Sequence, residues 1–296
     1  MKLKFKVILG FFIFIVAILF FSFFKGQYIF APQIDQIFQT GQNVLNSDLD
    51  KVVGKSFEGT EGTYGITIKN LKTGKSYFLN EHKQFEAASL YKIWVMATAF
   101  NQIEQGKLKE GEMLSQDVLT LNKKFNIASE AAELTEGTVT FTTLEAINQM
   151  ITISHNYAAL LLSERIRLNN VADFLKANSL TESSIGQPPQ TTANDVVLFF
   201  EKLYKEELGN KDSTAKMLDI LKNQQLNEGL PKYLPKNTLV AHKTGDLGLF
   251  KHDAGIVFSE KGDYIIVVMS ESSSPLGAQE RIAQISKAVY DYFQKN

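Results

Sequence analysis

Residues 87–97 read AASLYKIWVMA, a segment that begins with small residues and turns into an apolar helical pattern around Lys92. The pattern predicts a helix that opens at Ser89. Three residues are nearly one helical turn, so Lys92 lies on the same face as Ser89 and its amine can approach the hydroxyl. A serine needs such a base to act as a nucleophile near neutral pH, and Lys92 can serve if burial and neighbouring cations lower its pKa from about 10.4.

The S-x-x-K spacing is weak evidence by itself, because residues 213–216 repeat it. In that second copy, Asp212-Ser213 is typical of a helix N-cap, and no other catalytic element follows at a useful spacing. We therefore interpret the second copy as structural and Ser89 as the candidate nucleophile.

A polar triplet, Ser154-His155-Asn156, separates two apolar helical stretches, Leu144–Ile153 and Tyr157–Leu162. A short break of this kind can direct Ser154 and Asn156 into a cleft, where Ser154 relays a proton and Asn156 holds the substrate amide or the lysine. The alternative for the triplet alone is a helix cap followed by a solvated loop.

A third element, Lys243-Thr244-Gly245, ends a strand-like run that begins at Thr238. Alternation along a strand places Lys243 on the face opposite His242, and Gly245 allows a ligand to approach the backbone. Lys243 and Thr244 can there bind a substrate carboxylate. Residues 72–74 repeat the triplet within a turn, where the glycine serves the turn itself, so we interpret that copy as structural.

The order of S-x-x-K, an S-D-N-like triplet and K-T-G resembles class A β-lactamases and penicillin-binding serine hydrolases over about residues 35–295. The resemblance implies an acyl-enzyme, with an oxyanion hole formed by the backbone amides of Ser89 and Asp246. It implies these catalytic residues: Ser89 (nucleophile), Lys92 (base or proton relay), Ser154 (proton shuttle) and Lys243. It implies these substrate-binding residues: Asn156, Thr244, Gly245 and Asp246.

Three features depart from that family pattern. His155 stands where the family has aspartate, and the loop that carries the deacylating glutamate is shortened, with Glu182 as its only acid. Glu182 is thus the one candidate deacylation base; without a base, the acyl-enzyme forms but hydrolyses slowly, as in penicillin-binding proteins. No arginine falls in a predicted strand, so Lys251 and His252 are the candidates to replace the arginine that helps to hold the substrate carboxylate.

The element pattern predicts an α+β fold, with a sheet built from both chain ends and flanked by helices. The resemblance implies that the sheet is antiparallel and that the fold is of the β-lactamase/D,D-peptidase type. The sheet subdomain is expected at about residues 31–87 and 209–296, and an inserted helical subdomain at about 88–208. Predicted strands are Tyr64–Leu71, Ser76–Leu79, Thr238–Thr244, Ala254–Ser259 and Tyr264–Ser270. Predicted helices include Ala31–Val52, Ala193–Tyr204, Ser213–Gln224 and Gly277–Gln294. Helix start signals are a T-x-x-E capping box at Thr142–Glu145 and Thr192 before Ala193.

The N-terminus differs from the rest of the chain. Three lysines precede an uncharged run from Val7 to Phe24, and Lys25 follows it. Eighteen apolar residues span about 27 Å as a helix, so residues 1–25 are expected to be a transmembrane signal anchor on a bacterial cell membrane, with residues 26–296 outside the cytoplasm. Secretion after signal cleavage is the alternative.

Composition excludes several function classes. The 296 residues contain no cysteine, which excludes thiol nucleophiles and cysteine-bound zinc. Residues 26–296 carry 27 basic and 32 acidic residues, a net charge of about −5 that argues against nucleic acid as a partner. His82 and His242 lack metal-ligand spacing, so no metal or cofactor is expected.

The sequence therefore predicts a monomeric, extracytoplasmic serine hydrolase that opens β-lactam amide bonds through Ser89. Two alternatives remain open. One is a D-Ala-D-Ala peptidase that acts on cell-wall peptides, and the other is a covalent sensor that stays acylated. The short loop at residues 181–190 favours these alternatives, whereas the chain length, single-domain layout and motif order favour a β-lactamase.

Overall fold

The computed structural model describes residues 47–59 and 61–296. The predicted anchor at residues 1–25 and most of the predicted helix from Ala31 lie outside these residues. The end of that helix coincides with the start of helix α1, Ser47–Phe57. In the described residues, no helix is both long and apolar enough to cross a bilayer.

A five-stranded antiparallel sheet is built from the two ends of the described chain, in the order β2-β1-β9-β8-β7. Its strands are β1 (Thr63–Asn70), β2 (Ser76–Leu79), β7 (Val240–Leu247), β8 (Phe250–Val257) and β9 (Tyr264–Glu271). The α+β arrangement expected from the sequence is confirmed, because strands of distant sequence pair directly, as Ile66 does with Val268.

Both faces of the sheet are covered, which explains the unbroken apolar run in the central strand β9. Alternation sends Ile265 and Val267 into one core and Ile266 and Val268 into the other. The first core lies under the helices of the middle of the chain, and the second packs on α1 and on the C-terminal helix α9, Pro275–Lys295. Strands buried on both faces lose the polar alternation of a half-exposed sheet.

The middle of the chain supplies a mainly helical layer around α2, Lys92–Glu104. Residues 92 to 100 of α2 are all buried, so the helix that follows Ser89 is enclosed on every side. The other helices are α3 (Val118–Lys124), α4 (Thr143–Thr152), α5 (Asn156–Ile166), α6 (Leu168–Ala177), α7 (Ala193–Tyr204) and α8 (Lys211–Lys222).

Two small strand pairs interrupt this layer and were not predicted. Strands β4 (Met113–Asp117) and β5 (Thr138–Thr142) pair antiparallel, and the connection between them contains α3 and a loop. Strands β3 (Phe85–Glu86) and β6 (Gln190–Thr191) pair across more than a hundred residues. Strands of two residues carry no periodicity, so sequence patterns do not reveal them.

Helix starts were predicted with mixed success. The capping box of Thr142 and Glu145 is present, and Thr192 caps α7 through its side chain. The predicted N-cap at Asp212-Ser213 is wrong, because Asn210 accepts the hydrogen bond from the backbone amide of Ser213. The helix therefore begins earlier, at Lys211, and Lys216 pairs with Glu110 and Asp212.

The repeated Lys-Thr-Gly triplet at residues 72–74 is structural, as predicted. It forms the turn between β1 and β2, in which the Asn70 side chain accepts hydrogen bonds from the amides of Lys72 and Thr73. Gly74 has a φ of +73°, a conformation that glycine adopts without steric cost.

The contact between β7 and β8 leaves no room for a side chain at Gly255. A Cβ atom there would overlap the carbonyl oxygen of Ala241 and lie 2.6 Å from the Cβ atom of His242. Gly255→Ala is expected to destabilise the fold by about 1–3 kcal/mol or more, because the two paired strands must separate. Thermal unfolding measures this as a fall in Tm of roughly 2–4 °C per kcal/mol.

Gly54→Ala is the matched control. Gly54 lies on the exposed side of α1, and alanine favours the helix. Among the described residues outside its own helix, none comes within 4 Å of the place a Cβ atom would take. Its Tm should stay the same or rise. Equal Tm values for the Gly255→Ala protein and the wild type would contradict the packing described for this strand pair.

Candidate active site

Ser89 lies in a single 3-10 turn, Ala88–Tyr91, that leads directly into α2. Ala88 has a φ of +44°, an unfavourable conformation for a residue with a Cβ atom, and such strain is concentrated at functional sites. Ser89 is half-buried, whereas Leu90 is buried and anchors the turn in the core. The fold thus holds the serine at the edge of a cleft on a rigid support.

Two neighbouring segments fix this turn in place. The backbone amide of Ala87 donates a hydrogen bond of 2.8 Å to the carbonyl of Pro189, at the end of the 181–190 loop. From the other side, Gly245 on β7 approaches so closely that a Cβ atom there would lie 3.2 Å from the Ala87 carbonyl oxygen. Gly245 is therefore required for the approach of β7 to the serine turn.

Lys92 follows one turn after Ser89 and is completely buried, at 0% exposure. Its amine donates to the backbone carbonyl of Ser154 at 2.6 Å, to the Ser154 hydroxyl at 3.2 Å and to Asn156 Oδ1 at 2.6 Å. Burial lowers the pKa of the Lys92 amine to about 7, and the nearby charge of Glu133 acts against this decrease. Near neutral pH a large share of Lys92 is thus a free amine that can accept a proton.

Lys243 approaches the same hydroxyl from the sheet. It is also at 0% exposure, and its amine donates to Ser154 Oγ at 3.0 Å and to the carbonyl of Thr244 at 2.8 Å. Burial lowers the pKa of Lys243 well below its ordinary value, the neighbouring charge of Lys92 lowers it further, and Asp253 opposes both effects. Ser154 therefore bridges two buried amines, an arrangement suited to passing a proton between them and a substrate.

The triplet that carries Ser154 lies between α4 and α5, as predicted. Ser154 has a φ of +59°, which turns the chain sharply and brings its hydroxyl to the lysines. His155 caps α5, because its Nδ1 accepts a hydrogen bond of 3.1 Å from the amide of Ala158. The imidazole can accept at Nδ1 only when it is neutral. The lowered pKa of His155, caused mainly by burial and in part by Lys92, favours that neutral form.

Lys243 and His242 point to opposite faces of β7, as predicted. On the face away from the site, the buried His242 contacts Asp253 Oδ1 through Nδ1 at 2.8 Å. The other oxygen of Asp253 accepts from the amide of Leu230 at 2.8 Å. This pair secures β7 to β8 directly behind Lys243.

The residues proposed to replace the missing arginine are occupied elsewhere. Lys251 pairs with Asp246 at the exposed end of the β7–β8 hairpin. His252 is buried, donates from Nε2 to the carbonyl of Glu86 at 2.8 Å and accepts at Nδ1 from the amide of Ser270. Burial lowers the pKa of His252 to about 4, so it is neutral and supports the strand before Ser89. His252 lies on the same face of the sheet as Lys243, but both of its ring nitrogens are bound to backbone groups.

Glu182 does not join the cluster around Ser89. Its carboxylate accepts from Thr192 at 2.6 Å and contacts His82 Nδ1 at 2.8 Å. Although partial burial raises its pKa, these hydrogen bonds bring the pKa of Glu182 below the usual value. Within the described residues, Glu182 has no hydrogen bond to Ser89 or to Lys92.

Glu133 is the site residue that sequence reasoning missed. It lies in the loop between α3 and β5 and accepts a hydrogen bond from Asn156 Nδ2, on the side of that amide away from Lys92. No local signal marks it, because Glu130 and Glu136 have the same spacing and the same polar surroundings in sequence. In the part of the chain that the structure describes, no group of three or more acids and histidines is placed to hold a metal ion.

The sequence that carries this site matches a known protein family. The family model described as the β-lactamase enzyme family matches residues 45–293. The chain belongs to this family. The motif-based resemblance to class A β-lactamases is thereby confirmed, and the protein is a serine β-lactamase-like hydrolase.

Individual relatives agree with this assignment. The β-lactamase VEB-1 of Pseudomonas aeruginosa is 25% identical over 280 residues, which cover 85% of this chain and 92% of VEB-1. The structure of PBP-A is 27% identical, with a TM-score of 0.75 over 85% of this chain and 97% of PBP-A. A PBP-A mutant, solved as an acyl-enzyme complex with penicillin G, is 26% identical, with a TM-score of 0.74 over 85% of this chain and 98% of that one.

The histidine cap makes a prediction about stability and pH. The folded state favours neutral His155, so its contribution is complete above the unfolded pKa of about 6.5 and is lost as the pH falls through the lower folded value. His155→Ala is expected to cost about 0.5–2 kcal/mol at pH 7.5, the usual range for an N-cap. Denaturant unfolding at pH 7.5 and pH 5 measures both effects.

His155→Asp is the matched variant, because aspartate caps a helix while ionised and stays ionised at pH 5. The wild type should lose stability relative to His155→Asp between pH 7.5 and pH 5. A constant difference between the two proteins over that interval would show that the imidazole does not cap the helix.

Proposed function

We propose that this enzyme opens the amide bond of β-lactams by forming an acyl-enzyme on Ser89. The observation that carries the proposal is the convergence of the Lys92 and Lys243 amines on the Ser154 hydroxyl. Lys92 itself follows Ser89 by about one helical turn. The similarity to VEB-1 and to PBP-A supports the same chemistry.

Acylation follows from these positions. Neutral Lys92 takes the proton of the Ser89 hydroxyl as Oγ attacks the lactam carbonyl, and the backbone amides of Ser89 and Asp246 stabilise the oxyanion. Collapse of the tetrahedral species breaks the carbon–nitrogen bond. The proton now on Lys92 passes through Ser154 to the leaving nitrogen, so that Lys92 is neutral again and Ser89 carries the acyl group as an ester.

Substrate binding uses the other end of the cleft. Lys243 and Thr244 would bind the substrate carboxylate, and the Asn156 amide would hold the acyl amide. The carboxylate restores a partner charge to the buried Lys243, whose low pKa reflects burial and the charge of Lys92. Substrate binding and the protonation of Lys243 are therefore coupled.

The rate at which the acyl group is released from Ser89 distinguishes two candidate functions. Rapid hydrolysis, as in a β-lactamase, requires a group that activates water, whereas Glu182 is bound to Thr192 and His82. That observation favours the second candidate, a penicillin-binding peptidase or sensor in which the ester persists. The similarity to PBP-A, which a related structure shows as an acyl-enzyme with penicillin G, supports it too.

For the location of the enzyme, we propose a single-pass bacterial membrane protein with its catalytic domain outside the cytoplasm. The uncharged run from Val7 to Phe24, with three lysines before it and one after it, supports this orientation. Cell-wall peptides and β-lactams are both encountered on that side of the membrane.

The first test uses the full chain and a chromogenic cephalosporin, with Ser89→Ala as the inactive variant and Ser213→Ala as the matched control from the second S-x-x-K copy. Ser89-dependent hydrolysis through many turnovers is expected of a β-lactamase. A burst of about one equivalent, with a stable adduct on Ser89 by mass spectrometry, assigns the enzyme to the second candidate. If no adduct forms at all, the acyl-enzyme proposal is wrong.

The second test is the pH dependence of acylation. Because the base is the neutral amine of Lys92, the second-order rate constant for acylation by benzylpenicillin should rise about tenfold per pH unit below pH 7 and level off above it. Stopped-flow measurements between pH 5 and pH 9 record this profile. A rate that still rises about tenfold per pH unit up to pH 9, as expected of a lysine with the ordinary pKa of 10.5, or a rate that is flat over the whole interval would contradict the role of Lys92.

A further inference from the structure

The Asn156 side chain is held between two opposite charges. Its Oδ1 accepts from the Lys92 amine at 2.6 Å, and its Nδ2 donates to the Glu133 carboxylate. An ionised carboxylate can only accept, so Glu133 faces the Nδ2 group and leaves Oδ1 toward the Lys92 amine, which can donate in both of its protonation states. Glu133 is therefore the residue that presents Asn156 to the cleft in one orientation.

Glu133 is also an exposed negative charge that is separated from Lys92 by the Asn156 amide. Its side chain is open to solvent, and in the described residues it makes no ion pair. Two other acids have partners of their own, since Asp246 pairs with Lys251 and Glu182 accepts from Thr192 and contacts His82. The charge of Glu133 acts to raise the pKa values of both Lys92 and His155 against the effect of burial, in agreement with its contact to Asn156.

The cleft is therefore electrically asymmetric. Lys243 and Thr244 provide the donors for a carboxylate at one end, and Glu133 makes the end beyond Asn156 negative. A substrate whose carboxylate binds at Lys243 places its reacting carbonyl at Ser89 and its acyl side group toward Asn156. The substituent on that acyl group then lies beside Glu133.

We propose that Glu133 determines specificity by favouring acyl donors that carry an ammonium group on the acyl side of the reacting amide. This proposal rests on the acyl-enzyme function proposed above. The preferred substrates are zwitterionic: a carboxylate on the leaving side binds at Lys243 and Thr244, and an ammonium group on the acyl side binds at Glu133. β-lactams with an α-amino acyl group have this arrangement, and so do peptides with a free amine on the acyl side.

Ampicillin and benzylpenicillin provide the test, because they differ only in the α-amino group. The full chain is acylated with each at pH 6 and low ionic strength, where an α-amine is protonated. The measured quantity is the ratio of the two second-order acylation rate constants. In the wild type we expect a ratio about two to five times higher than in Glu133→Gln, the size of effect typical of an ion pair at a partly exposed position.

Glu136→Gln is the matched control, since Glu136 lies in the same loop and is exposed, and within the described part of the chain it makes no hydrogen bond or ion pair with the site residues. Its ratio should equal that of the wild type. Raising the pH to 9, which removes the ammonium charge, or adding 1 M salt should bring the wild-type ratio down to that of Glu133→Gln.

Two outcomes would overturn the proposal while leaving the acyl-enzyme function intact. One is an unchanged ratio in Glu133→Gln, and the other is an equal loss of rate with both penicillins, which indicates that Glu133 only positions Asn156. If neither penicillin acylates Ser89 in the wild type, the acyl-enzyme function fails, and the specificity proposal fails with it.

Discussion

Two lysine amines are buried against a single serine hydroxyl, and much of the structure serves to make this possible. Lys92 and Lys243 are both at 0% exposure, and their amines lie 3.2 Å and 3.0 Å from Ser154 Oγ. Burying an ammonium group costs several kcal/mol unless it is fully hydrogen-bonded or loses its proton. Here both things happen, since carbonyl and amide oxygens accept from the amines and the pKa values of both lysines are lowered.

The surrounding fold keeps the two amines from moving apart. Lys92 begins a helix that is enclosed on every side, and Lys243 lies on a strand that pairs along its whole length with β8. Gly245 allows that strand to approach the serine turn, and the amide of Ala87 is tied to Pro189 on the opposite side. The two lysine amines, which repel each other when both are protonated, are thus held in place by the buried helix α2 and the fully paired strand β7.

The exchange of aspartate for histidine in the second motif has a simple physical account. The position caps α5, and a neutral imidazole accepts the Ala158 amide as a carboxylate would. What changes is the charge next to Lys92, because a neutral His155 does not stabilise the ammonium form. The substitution therefore keeps the geometry of Ser154 and Asn156 and favours a free amine at Lys92.

Local patterns in the sequence determined most of the framework. Helix spacing places Ser89 and Lys92 on one face, strand alternation places Lys243 opposite His242, and the capping signals at Thr142 and Thr192 mark helix starts, because these relations depend only on residues a few positions apart. The sequence also contained the family motifs, in order. Sequence patterns did not predict the two-residue strands β3 and β6 or the helix cap at Asn210.

Only the tertiary structure determined which ionisable side chains come into contact. Glu133 binds Asn156 from a loop 23 positions earlier in the chain. Glu182 contacts His82, which is 100 positions away. His252 binds the backbone carbonyl of Glu86 instead of serving a carboxylate beside Lys243. Burial lowers the pKa of Lys92, and burial together with the charge of Lys92 lowers the pKa of Lys243, although 151 positions separate the two lysines in the chain. Such contacts follow from the packing of distant segments, and acids in the same kind of local sequence differ only in where the chain carries them.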